Sequence, residues 1–324
     1  MAGAAGAGRR PRLGARQRGR RDRDRRADGG AGDAAGRGLG RGGAAGRVRA
    51  RAPAHLPGGA AAGAADDGRR RPVAAAGAAH PHRAARGAGP MTTVVLVAGA
   101  WHGAWCWRRV LPALWRAGHV VVPVPLTGVG ERAHQLSPEV TLTTHVEDVV
   151  MAVRAEECRG AVLVGHSYGG LVVTGVADRL GDEVGRLVYV DAVVPTPGQS
   201  WADGNPPEVR AARRAVIAER GHLPPPPVSA YGLTGDDAAW VERRQTPQPG
   251  GVYDEPLHFD ADRWAARPRT FVDCTAPALP TIEPSRRLVG SQPGWEVVEL
   301  ATGHDPMVSA PDELAAVLLE VAGR

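Results

Sequence analysis

Short apolar runs rich in β-branched residues alternate, along residues 91–324, with longer segments whose apolar positions recur at helical spacing. The short runs predict strands at residues 94–97, 119–124, 161–164, 187–190, 269–272 and 296–300. The longer segments predict helices at residues 105–117, 140–155, 171–180 and 311–321. Strands that alternate with helices predict an α/β fold, a mostly parallel sheet covered by helices on both faces. Ligands of such folds bind at the carboxyl ends of the strands.

One segment interrupts this alternation. Residues at about 195–265 lie between two predicted strands, are rich in proline and carry Trp201, Trp240 and Trp264. A connection of this length is usually a functional lid or an extra subdomain. We therefore predict a helical cap insertion over the carboxyl ends of the strands. The alternative is a packed helical excursion that takes no part in ligand binding.

The composition of residues 1–90 differs from that of the remaining chain. This segment holds 20 Arg and 6 Asp, without aromatic residues, so its charge is +14, whereas residues 91–324 carry −8. The segment has too few apolar residues to offset the entropy of ordering, which predicts a disordered extension rich in Arg, Gly and Ala. Arginines can bind nucleic acid, but the aromatic residues that stack on bases are missing, so this role is not favoured.

The sequence also gives expectations for where translation starts and where the protein is located in the cell. The chain has no lysine and a single asparagine, Asn205, which is typical of very GC-rich coding sequence. We hypothesise that translation starts at Met91, which opens the first predicted strand. Neither a signal-type apolar core nor an 18-residue apolar span is present, so we expect a cytoplasmic protein without a membrane segment. The three cysteines have neither disulfide nor metal-site spacing, and the oligomeric state stays open.

The sequence Gly165-His166-Ser167-Tyr168-Gly169 follows a predicted strand and precedes a predicted helix. A Gly-x-Ser-x-Gly motif in this context forms a sharp turn that lifts the serine hydroxyl above the sheet. Glycines flank the serine because a side chain there would collide with the neighbouring strand and helix. The motif predicts that Ser167 is a nucleophile, and the alternative is an ordinary glycine-rich turn.

A serine nucleophile needs a base within hydrogen-bond distance. In this type of fold the base comes late in the chain, after the last strand. His304 follows the predicted strand 296–300 directly, which makes it the favoured base. His258 lies in the predicted cap and is a candidate for substrate contact, whereas His222 lies beside a proline run and is expected at the surface.

Two backbone N–H groups are expected to bind the oxyanion of the reaction intermediate. One belongs to Tyr168, the residue after the nucleophile, and the other to the loop after the first strand, residues 98–103. The candidates for the substrate pocket are apolar or imidazole side chains near this loop and in the cap, namely Trp101, His102, Trp201 and His258.

Five segments, taken together, resemble the α/β-hydrolase superfamily: residues 95–107, the Gly-His-Ser-Tyr-Gly-Gly motif, residues 190–195, residues 246–249 and residues 303–307. They are most similar to the small esterases related to plant methylesterases and hydroxynitrile lyases, over about residues 93–322. The resemblance implies an α/β-hydrolase fold with about eight core strands, a helical cap, and a Ser-His-Asp triad without metal or cofactor. It also assigns the second oxyanion N–H to Ala100.

The sequence departs from the family pattern in three places. Ala98 stands where the family usually has a histidine in the loop after the first strand. The lysine that follows the catalytic histidine of the lyases is replaced by Asp305, so lyase activity is not favoured. The aspartate expected after Cys274-Thr275 is missing, which leaves three alternatives for the triad acid: Asp191, Asp273 or an impaired triad.

The sequence therefore predicts a serine carboxylesterase that cleaves a small-molecule ester, with Ser167 as nucleophile, His304 as base and Asp191 as the favoured acid. A weakly active or non-catalytic binder of small ligands is the first alternative, because the usual aspartate is missing. Nucleic-acid binding through the arginine-rich segment is the second.

Overall fold

A parallel sheet forms the centre of the part of the chain that this computed structural model describes, residues 91–324. The predictions for residues 1–90, namely disorder and an arginine-rich nucleic-acid contact, lie outside the described residues. The hypothesis that translation starts at Met91 likewise concerns those residues and stays a prediction.

The described chain contains eight strands. In chain order they are β1 (Thr93–Val97), β2 (Val120–Val124), β3 (Ala161–His166), β4 (Val184–Val190), β5 (His222–Leu223), β6 (Gln248–Pro249), β7 (Arg269–Cys274) and β8 (Trp295–Leu300). Six of them form one sheet in the order β2-β1-β3-β4-β7-β8, and each neighbouring pair is parallel. The short β5 and β6 pair antiparallel to one another. Within residues 91–324 the core sheet thus has six strands, fewer than the eight or so that the resemblance implied.

Nine α-helices accompany the sheet in residues 91–324: α1 (Leu111–Arg116), α2 (Leu142–Ala155), α3 (Gly169–Leu180), α4 (Pro207–Arg220), α5 (Gly235–Glu242), α6 (Ala261–Ala265), α7 (Glu283–Ser291), α8 (Pro306–Ser309) and α9 (Pro311–Ala322). Short 3-10 helices occur at Ala104–Arg109, Gly130–Gln135, Gly181–Glu183, Ala202–Gly204, Val228–Tyr231, Gly250–Val252 and Pro280–Ile282. The segment 195–265 supplies α4, α5, α6 and the β5–β6 pair. No helix in residues 91–324 combines the length and the apolar character needed to cross a bilayer.

The predicted elements agree with the observed ones within three residues at each end, with one exception. The helix expected at residues 105–117 is divided into a 3-10 helix, Ala104–Arg109, and α1. Pro112 explains the division, because it has no N–H to donate to the preceding turn. A proline is tolerated only in the first turn of a helix, and Pro112 lies there in α1.

The hydrophobic pattern determines which elements lie at the centre. The valines and leucines of β1, β3 and β4 are almost completely buried, as parallel strands covered on both faces require. Helix α3 is buried around most of its circumference, whereas α4 has no buried residue. Because all six core strands run in one direction, the residues that follow β3, β4, β7 and β8 meet at a single edge of the sheet.

Candidate active site

The turn between β3 and α3 holds Ser167 in a conformation that side-chain-bearing residues rarely adopt, with φ at +52°. The flanking glycines are required by space. A Cβ on Gly165 would lie 2.5 Å from the carbonyl oxygen of Gly169, and a Cβ on Gly169 would lie 2.8 Å from the carbonyl oxygen of Val97. The local geometry is that of a strand–turn–helix elbow, in which backbone strain presents the serine hydroxyl at the sheet edge.

Ser167, His304 and Asp191 form a continuous hydrogen-bonded chain. The Ser167 hydroxyl lies 2.9 Å from Nε2 of His304, and Nδ1 of His304 lies 2.6 Å from Oδ2 of Asp191. His304 and Asp191 are both buried. The backbone of His304 is held on both sides, since its N–H donates to the Tyr231 carbonyl at 3.0 Å and its carbonyl accepts from Nε2 of His166 at 2.9 Å. With the proton on Nδ1, the imidazole is oriented to accept the serine proton on Nε2.

Asp191, and not Asp273, reaches the histidine. Asp191 follows β4 with φ at +39°, and its N–H donates to the carbonyl of Val272 in β7 at 2.8 Å. Asp273 lies one strand further from Ser167 and contacts Arg286 instead, with 2.5 Å between its Oδ1 and Nε of the guanidinium. The same guanidinium donates to Oδ1 of Asp191 at 2.6 Å. Arg286 therefore links the two carboxylates and holds Asp273 away from the imidazole.

A second buried imidazole–carboxylate pair lies behind the first. Nε2 of His102 lies 3.1 Å from Oδ2 of Asp305, and Nδ1 of His102 lies 2.9 Å from the carbonyl of Ala100. Both ring nitrogens face oxygen acceptors, so both carry protons. Burial lowers the pKa of His102, but the charge of Asp305 raises it to a net value above the usual one. Burial likewise raises the pKa of Asp305, and His102 lowers it to about 2.

His166 takes the neutral form in this cluster. Burial, followed by the charge of the nearby His304, lowers the pKa of His166 to about 3. One potential metal-ligand atom from each of His166, His304 and Asp305 lies within 4.8 Å of the other two, a spacing at which they could hold a metal ion. Both ring nitrogens of His304 are already engaged, with Asp191 and Ser167. The cluster therefore does not fit a metal site.

A small cavity of about 50 Å³ opens onto the serine hydroxyl. It is lined by Trp101, Ser167, Val193, Trp201, Gly204, Asn205, Arg213, Tyr231, Leu279, Thr281, Ile282 and His304. Of the four residues expected in the substrate pocket, Trp101 and Trp201 line this cavity.

The other two pocket candidates lie elsewhere, and the structure corrects the expectation for both. His102 is turned into the protein interior, where its Nε2 donates a hydrogen bond to Asp305. His258 lines a separate surface cavity of about 380 Å³ together with Asp178 and Glu255. His102 belongs to the loop after the first strand and His258 to the segment 195–265, but neither position in the sequence determines where the imidazole points.

The N–H groups of Ala100 and Tyr168 have no hydrogen-bond acceptor among residues 91–324. The loop that carries Ala100 is fixed by the next residue, Trp101, which has φ at +66° and donates its N–H to Oε1 of Gln248 at 2.9 Å. The side chain of Tyr168 is buried and bonds to Nδ1 of His145 at 3.1 Å. The two expected oxyanion donors are thus both free and both held on fixed backbone.

The sequence pattern did not indicate three further residues of the site. Arg286 contacts Asp191, Arg213 lines the cavity, and the Tyr231 carbonyl accepts the N–H of His304. Each lies in a helix of ordinary composition without a motif, so only the folded arrangement assigns it to the site.

A model of the α/β hydrolase family matches residues 94–317. The chain belongs to the α/β hydrolase family. The curated relatives agree with this assignment and carry esterase names. The carbendazim hydrolyzing esterase of Nocardioides sp. (strain SG-4G) is 40% identical over 238 residues, which cover 70% of this chain and 98% of that protein. Esterase PIR7B of Oryza sativa subsp. japonica is 28% identical, covering 71% of this chain and 95% of the relative.

Solved structures show the same fold. An extracellular α/β-hydrolase from a Paenibacillus species superposes with a TM-score of 0.63 at 23% identity, covering 72% of this chain and all of that one. The Arabidopsis methylesterase MES16 superposes with a TM-score of 0.58 at 23% identity, covering 71% and 98% of the two chains. The fold expected from the sequence, a parallel sheet covered by helices, is confirmed.

Proposed function

We propose that this protein is a serine esterase that hydrolyses a small carboxylic ester through an acyl-enzyme on Ser167. The observation that carries the proposal is the hydrogen-bonded chain from Ser167 Oγ through His304 to Asp191, with distances of 2.9 Å and 2.6 Å. This arrangement supplies a nucleophile, a base and a group that orients the base. It argues against the impaired-triad alternative, because Asp191 lies at hydrogen-bond distance from Nδ1 of His304 although the usual aspartate is missing.

In the proposed reaction, Nε2 of His304 takes the hydroxyl proton while Ser167 Oγ bonds to the ester carbonyl carbon. Asp191 keeps the imidazole in the productive tautomer and stabilises the imidazolium that forms. The tetrahedral intermediate then expels the alkoxide, which receives the proton from Nε2 and leaves as the alcohol. A water molecule, deprotonated by His304, attacks the acyl-enzyme in the same way and releases the acid.

We assign the oxyanion of the intermediate to the N–H groups of Ala100 and Tyr168. Neither has an acceptor within the described part of the chain, and each such donor contributes about 3–4 kcal/mol to the stabilisation of the transition state. The tight approach of the two loops supports this role. A Cβ on Gly99 would lie 2.8 Å from the Cβ of Ser167, so the loop before Ala100 passes directly beside the nucleophile.

The cavity at the serine measures about 50 Å³, so we propose that only a small part of the substrate enters it and that the remainder extends outside. Its walls come partly from Trp201, Arg213 and Tyr231, which belong to the segment 195–265. We therefore propose that this segment acts as a cap that limits substrate size. Carbendazim, which the Nocardioides relative hydrolyses according to its name, is an appropriate substrate to assay beside simple esters.

The test compares the full-length protein with Ser167→Ala on p-nitrophenyl acetate and p-nitrophenyl butyrate. We expect turnover by the wild type, loss of turnover in the variant, and faster reaction with the acetate because the cavity is small. Equal rates in the two proteins would overturn the proposal and favour the non-catalytic binder. Detection of a Ser167 acyl adduct by mass spectrometry after rapid quenching would directly identify the covalent intermediate.

A further inference from the structure

Helix α4 carries one arginine without a carboxylate partner, and this arginine lines the cavity at Ser167. The other three arginines of α4 are paired, and the partner of Arg220 is Glu219 at 3.7 Å. Arg210 lies 3.3 Å from Asp203, and Arg214 lies 2.8 Å from Asp254. Within residues 91–324 no carboxylate lies at ion-pair distance from Arg213, which donates to the side-chain carbonyl of an asparagine and also lies beside the Tyr253 hydroxyl. The positive charge of Arg213 is therefore not neutralised by the protein.

Asn205 fixes the position of this guanidinium. Its amide nitrogen donates to the carbonyls of Trp201 at 3.1 Å and Ala202 at 3.4 Å. These two bonds orient the amide oxygen towards Nη1 of Arg213, at 3.3 Å. Asn205 is itself buried, and it lines the same cavity. A guanidinium has five N–H donors, so most of the donors of Arg213 have no acceptor from the described protein.

Aromatic rings surround the guanidinium on its other sides. Its central carbon lies 6.0 Å from the ring centre of Trp101, 5.5 Å from that of Trp201 and 5.7 Å from that of Tyr253. Cation–π contacts of this kind hold the side chain in place. These contacts do not neutralise the positive charge of Arg213.

We propose that Arg213 binds a carboxylate of the substrate, so that the substrate class is a small ester that also carries a carboxylate. This inference rests on the proposed esterase function. The residues that line the cavity include no Asp or Glu that would repel such a group. A guanidinium binds a carboxylate through two parallel hydrogen bonds, which gives orientation as well as affinity.

The test measures kcat/KM for matched pairs of esters. Monomethyl succinate is compared with methyl 4-methylpentanoate, its uncharged near-isostere, and 3-acetoxypropanoate with 3-methylbutyl acetate, which places the charge on the alcohol side. The variants are Arg213→Gln, Arg213→Lys and, as a matched control on the same helix, Arg214→Gln.

For the wild type we expect kcat/KM to favour the anionic member of at least one pair by about 10- to 100-fold. The preference should disappear in Arg213→Gln, be reduced in Arg213→Lys and persist in Arg214→Gln. Wild-type hydrolysis of the uncharged esters without an anionic preference, or a preference unchanged in Arg213→Gln, would overturn the inference while leaving the esterase function intact.

A binding measurement separates this inference from the proposed chemistry. Calorimetry of monomethyl succinate with Ser167→Ala should show binding that the Ser167→Ala/Arg213→Gln double variant loses. Binding in the absence of any turnover by the wild type would support the anion site and overturn the esterase function. Equal binding by the single and double variants would overturn the anion site.

Discussion

Replacement of Asp191 by Asn tests the assignment of the triad acid. The substitution keeps the size of the side chain but removes the charge from a buried, 2.6 Å hydrogen bond to His304. The amide can present its NH2 to Nδ1, which moves the imidazole proton to Nε2, and that nitrogen can then no longer take the proton of Ser167. The loss of the acid costs about 10⁴ in kcat where it has been measured, equivalent to about 5.5 kcal/mol of transition-state stabilisation.

Asp273→Asn is the matched control, because this carboxylate contacts Arg286 and not the imidazole. We expect its kcat to fall by less than about tenfold. Steady-state hydrolysis of p-nitrophenyl acetate gives kcat and KM for both variants, and thermal melts show that each is folded. Asp191 does not line the cavity, so KM should change little. A kcat for Asp191→Asn within tenfold of the wild type, or a larger loss in Asp273→Asn, would refute the assignment.

Three further predictions concern the residues around the site. Arg286→Met should reduce the free energy of unfolding in urea by about 3 kcal/mol, because Asp191 loses its buried partner; an unchanged midpoint would contradict this. Gly165→Ala should lower the free energy of unfolding by about 1–3 kcal/mol, since the added Cβ would collide with backbone atoms. Gly290→Ala in α7 is the control, because its Cβ would meet open space and should leave the stability in urea unchanged or raise it. Burial lowers the pKa of His102, but Asp305 more than compensates, so that the net pKa lies above its usual value. The pair therefore stabilises the fold below pH 6.5, and this stabilisation is lost as the pH rises through the raised pKa. Urea unfolding at pH 6 and pH 9 should therefore show a larger loss for the wild type than for His102→Gln, and equal losses would contradict the charged pair.

The sequence was most informative where backbone geometry permits few residue types. The elbow could be predicted because Ser167, which has a positive φ, needs a glycine on each side, Gly165 and Gly169. In the structure a Cβ on either glycine would collide with backbone atoms. His304 could be predicted because the last parallel strand ends at the same edge as β3. The prediction of one continuous helix at residues 105–117 was wrong, since the spacing of apolar residues does not show the interruption that Pro112 causes.

The direction in which polar side chains point was not accessible from the sequence. Asp191 and Asp273 both lie near strand ends, and the choice between them depends on the sheet order β3-β4-β7 and on a positive φ at Asp191. Arg286 and Arg213 lie in helices whose other arginines make ordinary surface pairs, so spacing alone does not distinguish them. Such residues become assignable only once distant segments are brought together.

The charges around the proposed triad explain how an acid that also binds an arginine can still assist the base. Asp191 alone beside Arg286 would be largely neutralised, and its attraction for a positive imidazole would be weak. Asp273 shares the same guanidinium at 2.5 Å, so the cluster carries a net charge of −1 while His304 is neutral. Transfer of the serine proton to His304 brings the net charge to zero, a change that is favourable where the groups are buried and weakly screened. Asp273→Asn would instead make the resting cluster neutral and the imidazolium state positive. We therefore expect Asp273→Asn to lower kcat modestly, with little dependence on ionic strength because these groups are buried. A kcat equal to that of the wild type would contradict this account of the charges.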